Sequence, residues 1–165
     1  MLNPNIMSAF REVNEKLENA PIEWFFAGDA NLALQGVEIK PENASVLIKE
    51  KDIDKIFEIF SDSVISEVKT LKDNSSEFFV SIKNTNVKFR AERTDGLYTT
   101  LNINPVFFKR QNNFYPCLNL KTEKEASFLL GMNERTKLID KHLESLDELK
   151  NPKSIADKIW KKREF

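Results

Sequence analysis

Ile6, Phe10, Val13 and Leu17 recur at steps of four, three and four, one apolar face of a helix. Asn3 is placed to cap it, Pro4 opens its first turn, and Asn19-Ala20-Pro21 ends it. The run Ile22 to Ala27 is short and apolar, which predicts a buried strand. Residues 30–35 then read as a short helix, entered at Gly28 or Asp29 and ended by Gly36. Ala44 to Ile48 predicts a second strand, and Ile53, Ile56, Phe57 and Phe60 share the face of a helix over 52–60. Val64 to Val68 reads as a short strand. Phe78, Val80 and Ile82 alternate, as do Val87, Phe89 and Ala91, so the two runs form a hairpin about Asn84-Thr85-Asn86. Residues 101–103 and 106–108 read as strand pieces before a turn at Gln111-Asn112-Asn113. From Leu120 the pattern turns helical: a capping box of Thr122 and Glu125, a stop at Gly131, and a second helix from Asn133. That helix turns Leu138, His142 or Leu143, and Leu146 inward, and Asn151-Pro152 separates it from a last helix with Ile155, Ile159 and Trp160.

A length of 165 residues suits one domain, with a core over about 1–118 and a helical part over about 119–165. Hydrophobic residues make up 41% and charged residues 31%, a globular balance that excludes a disordered chain. The 25 basic and 26 acidic residues leave a net charge of −1, so no global field attracts nucleic acid or an anionic membrane. The single cysteine, Cys117, cannot form an internal disulfide, and no apolar run approaches the roughly 20 residues of a membrane span. The N-terminus lacks a signal-peptide core. These features lead to the expectation of a cytoplasmic protein.

The stretch Trp24–Ile48, WFFAGDANLALQGVEIKPENASVLI, resembles the core of the nucleotidyltransferase superfamily. There a buried strand runs into Gly-Ser, a short helix follows, and the next strand carries Asp-x-Asp. The resemblance extends to the helix over 52–60, to Glu123–Leu130, and to Arg135-Thr136-Lys137-Leu138-Ile139-Asp140, which is similar to the Arg-x-Lys-Asp tail of small members. It implies an α+β fold: a mixed, strongly twisted sheet flanked by helices, with a helical C-terminal segment. It also implies a chemistry. The glycine admits a phosphate to backbone amides, and alternating aspartates with a third carboxylate hold two Mg²⁺ ions that align the attacking group and stabilise the leaving pyrophosphate.

Against that pattern the most diagnostic residues are missing. Asp29 stands where the serine follows the glycine, and the two aspartates fall at Asn43 and Ser45. The third carboxylate falls at Arg90, or at Glu92 two residues on and facing the same way. An amide and a hydroxyl cannot offset the dehydration of Mg²⁺, and Asp29 repels a triphosphate. The expectation is a degenerate member with no metal or cofactor, acting as a ligand-binding or interaction module. Its pocket would lie near Gly28, Asp29, Asn43, Ser45, Arg90 and Glu92, with a nucleotide or a protein as candidate partners. An active Mg²⁺-dependent transferase would instead use Asp29, Glu42 and Glu92 as an altered carboxylate set. A third reading is a nucleic-acid or protein adaptor working through Lys158, Lys161, Lys162 and Arg163.

Asp52 and Asp54 also spell Asp-x-Asp, but they sit where the apolar period is helical, so they read as ordinary first-turn acids. His142 reads as a packed helix residue, and Cys117 as a small buried hydrophobe with no basic partner implied.

Overall fold

The computed structural model describes residues 2–93, 96–101 and 105–150. Helix α1 (Pro4–Leu17) is capped by Asn3, whose side chain accepts a hydrogen bond from the Asn5 amide. Strand β1 (Trp24–Ala27) leads straight into α2 (Gly28–Leu34), and β2 (Ala44–Lys49) returns beside β1 in antiparallel register. A 3-10 turn at Glu50–Asp52 opens α3 (Ile53–Ile59), so Asp52 and Asp54 are on helical backbone, not on a strand. Then come β3 (Lys69–Thr70), β4 (Ser76–Ile82), β5 (Thr85–Glu92), α4 (Leu97–Thr100), β6 (Val106–Arg110) and β7 (Asn113–Cys117). Helices α5 (Leu120–Leu129) and α6 (Asn133–Lys150) complete the described part.

The strands form a seven-stranded mixed sheet in the order β3-β4-β5-β2-β1-β7-β6. β2 runs parallel to β5 and β1 parallel to β7, while the hairpins β4-β5 and β6-β7 are antiparallel. Side chains alternate across this sheet as strand geometry requires. Trp24, Phe26, Ala44, Val46 and Ile48 face the larger core, where α1 contributes Ile6, Phe10, Val13 and Leu17. Phe25, Ala27 and Leu47 face the other way and meet Tyr98 of α4 and Ala126 of α5. A third cluster joins α2 to α6 through Leu32, Val37, Leu120 and Ile139.

Several predicted boundaries move. Both hairpins close on two residues with positive φ: Lys83 (50°) and Asn84 (59°), then Gln111 (48°) and Asn112 (65°). That geometry matches the right-handed strand twist, and it puts Thr85 and Asn86 inside β5 and Asn113 inside β7. Val64 makes only an isolated bridge to Val80, and the strand beside β4 lies later, at Lys69–Thr70. The α5 cap is Asn119, whose side chain accepts from the Thr122 amide, so Thr122 is a helical residue and not the cap. Asn102 to Asn104, the last predicted helix and Lys158, Lys161, Lys162 and Arg163 lie outside the described residues. Among the described residues no helix is long and apolar enough to cross a membrane.

Candidate functional site

The parallel pairing of β2 with β5 fixes which side chains share the sheet floor. Ser45 pairs with Lys88, and Leu47 with Arg90. These four, on the face opposite α1, form the floor of a cleft of about 650 Å³. Gly28, Asp29, Lys40, Glu42 and Asn43 line it from the β1–α2 junction and the loop before β2. Phe79, Tyr98, Leu130, Met132 and Arg135 supply the remaining walls. The structure therefore brings Gly28, Asp29, Asn43, Ser45 and Arg90 together, with Glu42 among them. Glu92 is not part of the lining: it is buried, and its carboxylate accepts from Arg90 Nε at 3.0 Å. Burial raises its pKa, opposed by the Arg90 charge. Arg90 also meets Asp73 at 2.5 Å. Asp73 itself ionises more readily than usual, chiefly because Ser75 donates to it.

Gly28 has φ 78°, a left-handed conformation that favours glycine, and it begins a helix with no side-chain cap of its own. The free amide is satisfied from a distant part of the chain: Gly28 N–H donates to Glu123 Oε1 at 2.7 Å. Asn31 Nδ2 donates to the same oxygen at 2.9 Å and to the Leu118 carbonyl at 3.0 Å. Gln35 Nε2 donates to Asn31 Oδ1 at 2.8 Å, which fixes the orientation of that amide. The other Glu123 oxygen meets Arg135 at 3.4 Å, and Arg135 Nε lies 3.3 Å from Asp29. Glu123 has no solvent exposure, and burial raises its pKa although Arg135, Asn31 and Gly28 all favour the charged form. A carboxylate of the chain itself thus occupies the amide that a phosphate would use in the resembled pattern.

Among the described residues no three His, Cys, Asp or Glu side chains are grouped to hold a metal ion. Lys88 is the partner of Ser45 in the β2–β5 pairing, so a cationic side chain shares the floor with a hydroxyl. Cys117 is buried in β7, and burial pushes its thiol up to about 12, far from a nucleophilic thiolate. His142 packs on α6 against Gly36, where a Cβ would approach its ring to 3.0 Å. Tyr98 is likewise pushed up to about 12 by burial, so it lines the cleft as a neutral phenol.

No family model matches this sequence, and no curated protein sequence does. Solved structures do. A protein of Thermotoga maritima classed as a nucleotidyltransferase superposes with a TM-score of 0.69 at 23% identity, over 88% of this chain and 96% of that one. The fold is that of the nucleotidyltransferases. Two further nucleotidyltransferase-fold structures match at lower identity. ANT(2")-Ia, in complex with adenylyl-2"-tobramycin, gives a TM-score of 0.58 at 10% identity, over 82% of this chain and 87% of its own. The lincosamide adenylyltransferase LnuA, bound to lincomycin, gives 0.54 at 9% identity, over 84% and 97%.

Sequence reasoning singles out Gly28, Asp29, Asn43 and Ser45 through the motif they replace. It does not single out Lys88, and it does not foresee the buried role of Glu123. Glu123 falls in the first turn of a helix, where acids are common for dipole reasons, so nothing local distinguishes it.

Proposed function

We propose that this chain is a ligand-binding or interaction module built on the nucleotidyltransferase fold, and that it does not carry out two-metal nucleotidyl transfer. The observation that carries this reading is the pairing of Ser45 with Lys88 on the cleft floor. Where the resembled pattern needs anionic ligands, this chain offers Asn43, Ser45, an ammonium and a guanidinium. A lysine charge on the same floor repels a divalent ion. Swinging the lysine away relieves part of that, but no carboxylate pair replaces it.

The alternative carboxylate set of Asp29, Glu42 and Glu92 has less support. Asp29 is paired with Arg135, Glu92 is turned to Arg90 outside the lining, and Glu42 is exposed. A nucleotide is the leading candidate ligand. The cleft is of ligand size, and ANT(2")-Ia is in complex with adenylyl-2"-tobramycin while LnuA is bound to lincomycin.

Incubation with ATP, CTP or GTP and Mg²⁺ or Mn²⁺ tests the proposal by pyrophosphate release. No release above a buffer control is expected. Release that persists through purification and is abolished by Asp29→Ala or Glu42→Ala overturns it.

A further inference from the structure

We propose that the cleft takes a phosphate-bearing ligand directly on Lys88, with no divalent cation between protein and phosphate. This rests on the reading of the chain as a binding module and names the chemistry its cleft selects. Four cations line the cleft, and they are not equivalent. Arg90 is hydrogen-bonded to Asp73 and Glu92, and Arg135 to Glu123; Arg135 also faces Asp29 at ion-pair distance, its buried Nε making no hydrogen bond. Lys88 is half-buried on the floor and forms no ion pair or hydrogen bond through its side chain among the described residues. Lys40 is also unpaired there, but it is exposed at the rim. The carboxylates that line the same cleft are Asp29, held by Arg135, and Glu42, exposed beside Lys40 in the loop before β2. Neither is fixed against Lys88.

An ammonium drawn partly out of water without an anion is a group that an incoming anion stabilises. Its neighbours are of two kinds. Phe79 is its partner across the β4–β5 pairing and offers an apolar face. Ser45 is its partner across the β2–β5 pairing, and Asn43 precedes Ser45 by two residues, so a hydroxyl and an amide can donate alongside it. The Gly28 amide plays no part, because Glu123 already accepts from it. The apolar part of the lining is different in kind. Leu47 is buried in the floor and Tyr98 in a wall, while Leu130 and Met132 keep 57% and 43% of their surface exposed. A cation-lined floor and an open apolar wall fit a phosphate attached to an apolar or aromatic body. A bare inorganic anion would leave that wall wet.

Isothermal titration of the full chain in excess EDTA tests the proposal with three probes: ATP, phenyl phosphate and pyrophosphate. ATP or phenyl phosphate should bind in EDTA, more tightly than pyrophosphate, and Mg²⁺ should not improve the affinity. Lys88→Ala should weaken that binding roughly tenfold or more, and Lys88→Arg should restore most of it. ATP binding above phenyl phosphate assigns a nucleotide; the reverse order assigns a small phosphomonoester. Absence of binding by both in EDTA, binding that requires Mg²⁺, or equal affinity in folded Lys88→Ala overturns the proposal. The pyrophosphate-release assay reads the binding-module proposal separately, so either can fail alone.

Discussion

Glu123 concentrates the residue-scale physics of this protein. Its carboxylate joins the α2 N-terminus, the Asn31 amide and Arg135, yet burial still raises its pKa. The consequence for stability has a definite sign. Below the ordinary value of 4.5 the group is protonated in both folded and unfolded chains and contributes nothing to pH dependence. As pH rises past that value, the unfolded chain loses the proton first, so the folded state loses stability until its own carboxyl ionises. Glu123→Gln removes this component. Urea unfolding of both proteins from pH 4 to 7 should show wild type losing stability relative to the variant as pH rises. A constant difference across that range would show that the buried carboxyl titrates normally. The variant should also be less stable at pH 4, by about 1 kcal/mol, if its amide presents nitrogen to the Gly28 amide; the opposite flip keeps that hydrogen bond.

The elements show where local chemistry and tertiary context divide. Asn3 and Asn119 cap α1 and α5 through their own side chains, and Asn119→Ala should lower stability by about 1 kcal/mol in chemical denaturation. The hairpin turn at Lys83-Asn84 has a left-handed lysine, a conformation disfavoured by about 1 kcal/mol for residues with a Cβ. Replacing the pair by Asn-Gly keeps the turn type and removes that penalty, so the double variant should gain roughly 0.5–1 kcal/mol with an unchanged cleft. The alternation of Phe78, Val80 and Ile82 with Val87, Phe89 and Ala91 is legible because it has a period of two. The turn falls earlier than residue type suggests. Asn, Thr and Asn read as loop residues, while the pairing of Ile82 with Thr85 decides where the chain reverses. β7 escapes a sequence reading because Pro116 interrupts it and only Tyr115 and Cys117 are buried.

Across the whole molecule, aromatic packing binds the helical layer to the sheet. Phe10 of α1 packs on Phe26 of β1 with ring centroids 4.0 Å apart and lies 6.3 Å from Tyr115 of β7. Phe78 and Phe89 stack across the β4-β5 hairpin at 5.2 Å, and Phe60 closes over Phe89 at 4.9 Å. Five of the 13 Phe residues are thus fully buried core. Phe10→Ala removes a side chain with no solvent exposure and should cost about 3–5 kcal/mol. For a chain of this size that lowers the melting temperature by roughly 10 °C in calorimetry. A change below about 2 °C would mean that α1 is not integral to the fold. Loss of α1 packing should leave the cleft chemistry in place in the folded fraction, because the cleft is on the opposite sheet face.

The sequence by itself determined the periodic elements and the α+β class, and it set the expectation that Asn43 and Ser45 stand where the resembled pattern has acids. Each of those is written in neighbouring residues, through side-chain period or motif spacing. Only the tertiary structure decided that Lys88 lies beside Ser45, that Glu92 turns to Arg90, and that Glu123 reaches back to Gly28. Strand register and the docking of α5 are set by the combined burial of residues far apart in the chain, so no local window of sequence contains them.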